Sequence, residues 1–510
     1  MNSRFQQPTA NSQQPPLKSP LLTDLYQLTM AYGYWKLGLA DKEAVFHLTF
    51  RKSPFQGGFS IACGLAQALE FVCGLKFAPD DLAYLAELQG DDGKPLFIKP
   101  FLDYLGKLEF ECDMHAIPEG SVVFPHEPLL RVKGSILQCQ ILETALLNIM
   151  NFQTLIATKA ARVCMAARGD PVVEFGLRRA QGFDGALTAS RAAYIGGCES
   201  TSNVLAGKVL GIPVRGTHAH SWVMTFENEL EAFEAYASVM PNNSVLLVDT
   251  YNTLDGVRKA IEVGKHLKEK GHRLAGIRLD SGDLAYLSIE ARKILDAAGF
   301  SETRIVASND LDEHIIASLK EQGAAISVWG VGTKLITAYD QPALGGVYKL
   351  SAIRGPGQAW EYKLKLSEQS IKISTPGILQ VRRYISKDGQ CVADMIYDEG
   401  LGVEQEAWMT DPADPTRQRA TPENCSRQDL LVPVIRAGKC IYESPPLPKI
   451  RERVQQQLAS FYSGIKRFVN PHQYPVGLER RLDAMKTRLI LKARGISSDP
   501  TPAIKTPSAK

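Results

Sequence analysis

The chain lacks paired cysteines, long apolar runs, internal repeats and any large excess of one charge, and each absence removes a class of protein. Its nine cysteines (Cys63, Cys73, Cys112, Cys139, Cys164, Cys198, Cys391, Cys425 and Cys440) are scattered over 510 residues without a C-x-x-C pair. An odd, dispersed set excludes a disulfide framework and points to reduced thiols in a cytoplasmic protein. No apolar run approaches the roughly 18–20 residues that cross a bilayer. Lysine plus arginine number 58 against 55 acidic residues, a net charge of +3. That balance argues against a nucleic-acid or general membrane-surface partner, so any anion site must be a local cluster. The opening "MNSRFQQPTANSQQPPLKSP" has no apolar signal core, and residues 1–20 and 497–510 read as disordered polar tails.

What is present is an ordinary globular balance, with 45% hydrophobic and 22% charged residues and enough length for two or three domains. Residues 21–150 read as a mixed α/β domain. It opens on the helical spacing of Leu25, Leu28, Tyr32 and Trp35 and ends in a long helix. Ser135 and Gln138 have the spacing of a capping box at the start of that helix. Residues 351–496 read as strand-rich and then helical, with a hairpin turn at Asp388-Gly389.

Between them, residues 151–350 alternate short apolar runs with amphipathic helices. The runs are "PVVEF", "IPVRG", "SVLLVD", "LAGIRLD", "RIVAS" and "ISVWGVG". Near-continuous Val/Ile/Leu strands separated by helices indicate parallel strands covered on the outside. The expected fold is an irregular α/β barrel with flanking domains; a doubly wound open sheet is the alternative. Polar residues gather where each run ends: Glu174 with Arg178 and Arg179, Thr217 with His220, Asp249, Asp280 with Asp283, Ser308 to Asp310, and Gly330 to Thr333. The C-terminal ends of parallel strands converge on the active site in such folds.

Each group has a chemistry. "ASNDLDE" with Ser308 and Asn309, and "VWGVGTK" with Gly330, Gly332 and Thr333, offer backbone N–H groups to a phosphate; the plain alternative is a helix cap and a turn. Arg178 and Arg179 suit carboxylate or diphosphate oxygens. Asp280 suits an emerging cation, and Asp283 a metal ion or a helix cap. In "GTHAHSW", His218 and His220 would share one face of a strand, as two legs of a metal site do. Later strand ends supply Asp249 and Asp280 but no further histidine, which weakens a metal centre.

Taken together, "LLTDLYQLTMAYGYW", "FRKSPFQGGF", "EFGLRRAQG", "GGCESTSNVLAG", "GTHAHSW", "LLVDTYNT", "RLDSGDL" and "GGVYKL" resemble the nicotinate phosphoribosyltransferase family in chain order. The resemblance implies synthesis of nicotinate mononucleotide from nicotinate and phosphoribosyl diphosphate, with magnesium, and with ATP hydrolysed through a phosphohistidine. It places that histidine at His220, leaves His218 variable, and sets Thr217 and Tyr26 against nicotinate. It further suggests Arg304 at the nicotinate carboxylate and Ser374 and Thr375 at the phosphoribosyl donor, in a homodimer that shares its sites. Nicotinamide and quinolinate phosphoribosyltransferases are near rivals. A phosphate-binding barrel aldolase or isomerase would need a strand-end lysine, for which Lys334 is the nearest residue. A non-catalytic binding protein on this scaffold should have lost the polar strand ends, which are retained.

Overall fold

The computed structural model describes residues 19–369, 372–404 and 408–496. Apart from Ser19 and Pro20, the expected tails lie outside the described residues. Five of the six apolar runs form strands, and Ser200–Thr201 adds one more. Six strands thus make one parallel sheet, in the order Ser200–Thr201, Val172–Glu174, Val328–Val331, Arg304–Ala307, Gly276–Leu279 and Val245–Leu247.

The sixth run, around Val214, pairs only as an isolated bridge with Thr201. Proline 213 has no N–H to donate and can offer only its carbonyl, which accepts from Thr201. The same segment reaches the opposite edge strand through side chains: Thr217 Oγ1 donates to the Val245 carbonyl at 2.5 Å, and His218 Nε2 accepts from Leu247 N–H at 3.2 Å. Residues 213–218 therefore lie between the two sheet edges.

Flanking this sheet are two largely antiparallel ones. The first has seven strands, in which Glu43–Thr49 lies between Pro128–Ser135 and Val347–Arg354. The second, of six strands, is built from residues 379–479, and Leu379–Ile385 and Cys391–Asp398 flank the expected turn at Gly389. The expected long helix is two helices, Ile136–Ile141 and Glu143–Ala166. The capping box does not form: Ser135 Oγ donates to the Ala40 carbonyl, and Gln138 bonds the backbone of Glu109 and Glu111.

Helix Glu143–Ala166 is the hub of the core. Helix Phe183–Gly196 crosses it so closely that a Cβ on Gly196 would meet the Ala157 carbonyl at 2.4 Å. It also buries Lys159 and Arg162 against Glu313, with Lys159 Nζ to Oε2 at 2.6 Å and Arg162 Nε to Oε1 at 2.7 Å. A carboxylate clamped by two buried cations fixes helix Glu313–Glu321, and so the loop at 308–312 that precedes it. All nine cysteines are free thiols. No helix among the described residues is long and apolar enough to cross a membrane.

Candidate active site

The parallel strands end in one polar cluster. Arg278 occupies the third position of strand Gly276–Leu279, two residues before Asp280, so both side chains point to one side. Its Nη2 donates to Asp280 Oδ1 at 2.8 Å and its Nε to Ser308 Oγ at 2.7 Å, while Ser308 Oγ donates to the same carboxylate oxygen. Burial by itself raises the Asp280 pKa; the Ser308 hydrogen bond and the Arg278 charge outweigh it and hold the carboxyl below its usual range. Asp280 is therefore ionised at neutral pH.

Its second oxygen lies 3.8 Å from His220 Nε2, and His220 Nδ1 is 3.1 Å from Thr250 Oγ1. Asp249 completes the group. Its Oδ2 accepts from Asp280 N–H at 2.8 Å and Ser281 Oγ at 2.7 Å, and its buried Oδ1 has no hydrogen-bond partner among the described residues. The Arg278 guanidinium also sits 5.6 Å from the centre of the Phe175 ring. This places a fixed cation beside an aromatic face.

The two histidines of "GTHAHSW" do not share a face, because the segment is not a strand. Ala219 is the N-cap of helix His220–Met224, so the chain turns between them. His218 is buried, its ring 4.7 Å from Tyr236, with Nδ1 near the Ala219 carbonyl and Nε2 accepting from Leu247. Only neutral imidazole can accept at Nε2. Burial lowers the His218 pKa from its ordinary 6.5 in the same direction.

A histidine whose folded pKa is depressed gives stability that is complete above the unfolded pKa and declines as pH falls below it. His218→Gln keeps an acceptor for Leu247 and should flatten that acid-side decline. His218→Ala loses the bond and should cost about 1–3 kcal/mol. Melting temperatures of the three proteins from pH 7.5 down to 5 check this, and parallel acid-side curves for wild type and His218→Gln would exclude it.

Several expected residues occupy other roles. Glu174 accepts from Gly176 N–H, Ser190 Oγ and Thr201 Oγ1, so it secures the loop rather than pairing with Arg178 or Arg179. Those two arginines are exposed and have no carboxylate partner among the described residues. Asp283 N-caps helix Leu284–Ala297, its Oδ1 accepting from Tyr286 N–H at 3.0 Å, so the cap is the reading its geometry supports and the metal reading gives way. Gly330 lies within strand Val328–Val331, and a Cβ there would meet the Phe175 ring at 2.7 Å. It makes room for that ring instead of cradling an anion; Gly332 and Thr333 follow at the strand end.

Asp312, not Asn309 or Asp310, caps the helix that starts at Glu313. Asn309 is exposed with φ at +125°. Arg304 is the first residue of its strand and exposed, at the end away from Ser308, so it does not join this cluster. Lys334 is ion-paired to Asp312 at 2.7 Å. Burial lowers its pKa, but the Asp312 hydrogen bond and charge outweigh this and leave it raised. A lysine held protonated is a poor Schiff-base nucleophile, which disfavours the aldolase alternative.

Tyr26 and Ser374–Thr375 are not in hydrogen-bond contact with the cluster. Tyr26 is exposed on helix Leu25–Lys36, beside exposed Leu22, Leu25 and Met30. Ser374 and Thr375 line a small pocket with Arg51, Lys349 and Lys372. The residues missed from sequence are Arg278, Phe175 and Thr250. Arg278 had a usable signal in its i, i+2 spacing from Asp280.

Comparison with known proteins agrees with this architecture. Residues 21–151 match the profile of the nicotinate phosphoribosyltransferase N-terminal domain, 171–369 that of the nicotinate phosphoribosyltransferase family, and 379–486 that of its C-terminal domain. The chain is 43% identical to nicotinate phosphoribosyltransferase of Bacillus subtilis (strain 168) over 483 residues, covering 92% of this chain and 96% of that protein. With the Homo sapiens protein of the same name it shares 35% over 531 residues, covering 92% and 96%. The crystal structure of human nicotinic acid phosphoribosyltransferase superposes with a TM-score of 0.80 at 33% identity, covering 92% of this chain and 99% of that one. A nicotinate-nucleotide pyrophosphorylase from Pyrococcus furiosus, at 22% identity and a TM-score of 0.68, shares the fold. With three profiles matched in order and relatives aligned nearly end to end, the chain belongs to the nicotinate phosphoribosyltransferase family.

Proposed function

We propose that this enzyme joins nicotinate to 5-phosphoribosyl 1-diphosphate, releasing diphosphate, and couples the reaction to ATP hydrolysis through a phosphorylated His220. One observation carries the chemistry: an ionised Asp280, held by Arg278 and Ser308, faces His220 beside a buried Asp249. Loss of diphosphate from the ribose carbon builds positive charge on the sugar, and a preorganised carboxylate stabilises that charge. The six strands, with residues 213–218 between the edge strands, form an irregular barrel whose C-terminal rim carries these groups.

Nicotinate is a flat aromatic carboxylate. Phe175 offers a ring face, Arg278 a guanidinium fork beside it, and Thr217 a hydroxyl at the rim. Arg278 thereby takes the role that the sequence suggested for Arg304. The unpaired Arg178 and Arg179, with Ser308, Asn309, Gly332 and Thr333, receive phosphate oxygens.

Magnesium would be held by Asp249 Oδ1 and Asp280, where it would neutralise diphosphate charge. Among the described residues no group of three or more His, Cys, Asp or Glu could hold a metal alone. One or two carboxylates plus substrate phosphates are the usual magnesium environment, so the residues present fit an ion that arrives with its phosphates. Tyr26, stacking on the pyridine, and the pocket of Ser374, Thr375, Lys349 and Lys372, gripping the donor, complete the site of a second copy in a homodimer. The nine free thiols are consistent with a cytoplasmic enzyme.

The test is synthesis of mononucleotide from labelled nicotinate, with and without ATP, against unlabelled nicotinamide and quinolinate as competitors. Nicotinate should be the preferred base and ATP should stimulate. Preferential use of nicotinamide, or carbon dioxide release from quinolinate, would overturn the assignment.

A further inference from the structure

Two cavities meet at Arg51 and His126, which line both. The smaller contains Ser374 and Thr375. The larger, of about 1310 Å³, opens between residues 51–58, 409–419 and 467–477 and has no part in the chemistry above. Among the described residues, its lining carries Arg51, Lys52, Arg417, Arg419 and Arg467 against a single carboxylate, Asp411. Five cations against one carboxylate leave the described lining strongly basic in a chain whose net charge is only +3.

The local carboxylates do little to balance that charge. Asp411 is turned to its own loop, accepting from the N–H groups of Ala413 and Asp414. Arg417 has an exposed pair with Asp414 at 3.2 Å. Arg51, Lys52, Arg419 and Arg467 have no carboxylate partner among the described residues. Unpaired like charges gathered in one recess repel each other, and guanidinium forks match phosphate oxygens. The wall includes Phe124 and Tyr474, whose rings stack at 4.1 Å. Both rings are buried, so the basic side chains and not the rings face a ligand, and a recess of this volume suits a small molecule more than a polymer lying along a surface.

We propose that this cleft is a second ligand site, for a small polyphosphate anion of the nucleoside-triphosphate class, and that Arg51 and His126 transmit its occupancy to the adjoining pocket. The binding half is independent of the proposed function; the coupling half rests on reading the smaller pocket as the donor site.

His126 is a built-in reporter. Burial, then the charge of Lys486, push its pKa down to about 4; Asp411 opposes this and Arg51 adds to it. An anion in the cleft would offset those cations and raise the value.

Calorimetry of the full chain with inorganic tripolyphosphate, and with a non-hydrolysable nucleoside triphosphate, tests the site. Three proteins are needed: wild type, the double variant Arg419→Glu/Arg467→Glu, and Lys372→Glu, which alters only the smaller pocket. Wild type should bind tripolyphosphate saturably. The double variant should weaken that binding about tenfold or more, whereas Lys372→Glu should retain it, and the His126 ring-proton titration should move upward on binding. Tighter binding of the nucleoside form would show that the base contributes; equal binding would show that the phosphates suffice.

No saturable binding, or binding lost in Lys372→Glu but retained in the double variant, would overturn the site. For coupling, tripolyphosphate should change the KM for the phosphoribosyl donor in wild type and leave it unchanged in the double variant. An equal change in both would remove the coupling and leave the binding result standing.

Discussion

Replacing Arg278 with alanine should lower kcat/KM for mononucleotide synthesis by about 10²–10³-fold, the range seen when one preorganised electrostatic partner is removed from an active site. The reason lies in what the guanidinium holds. It donates to Asp280 and to Ser308, and Ser308 in turn donates to Asp280, so three groups from two neighbouring strands form one unit. Without Arg278, Asp280 keeps its burial and loses its counter-charge, and the guanidinium beside Phe175 disappears.

Two signatures should accompany the loss of rate. Asp280 owes its lowered pKa to Ser308 and Arg278 acting against burial, so removing Arg278 raises it. The acid limb of the pH profile of kcat/KM should then shift upward. Arg278→Lys, which keeps the charge without the planar fork, should recover part of the acid limb but little of the affinity for nicotinate. Steady-state kinetics from pH 5 to 8 with the two variants decide the matter. A drop smaller than tenfold with an unmoved acid limb would place Arg278 outside the reacting centre.

That arginine also marks where the sequence was readable and where it was not. Val/Ile/Leu runs announced the parallel strands because a strand buried on both faces has few other options. Strand polarity then located Asp249, Asp280 and Ser308, since a strand's C-terminal end can be read directly from chain direction. The same rule should have excluded Arg304, which begins its strand, and recruited Arg278, two residues before Asp280 on the same face. What polarity does not give is register. Arg278 meets Ser308 because Val306 pairs with Arg278 across the sheet, a relation between residues 28 apart that no local pattern states.

Other features were out of reach for similar reasons. Strand Glu43–Thr49 pairs with Val347–Arg354, so the N-terminal sheet is extended by a segment some three hundred residues later. Gly330 read as a phosphate cradle because glycine signals only that space is needed. Which group takes the space, here the Phe175 ring, is a tertiary fact. The "HAH" alternation was sound for a strand and failed because the chain turns into a helix at Ala219.

His220→Ala should abolish ATP hydrolysis and its stimulation of synthesis, while slow ATP-independent synthesis persists. The split is expected because the proposed phosphoryl and ribosyl steps meet at this residue without sharing its atoms. With Nδ1 engaged by the Thr250 hydroxyl at 3.1 Å, the ring is left with Nε2, 3.8 Å from Asp280, to meet a γ-phosphate. The Asp280 carboxylate, proposed to stabilise the ribosyl cation, stays in place when the ring is removed, because Arg278, Ser308 and the strand backbone hold it. Thr250→Val should weaken ATP coupling less, since it frees the ring without deleting the nucleophile. Incorporation of γ-labelled phosphate into a base-stable, acid-labile adduct follows the phosphoryl step directly. If His220→Ala still incorporated label or kept full ATP stimulation, another residue would be the acceptor. If it lost ATP-independent synthesis as completely as Arg278→Ala, His220 would belong to the ribosyl-transfer step itself, and the separation of the two chemistries across the His220–Asp280 gap would be wrong.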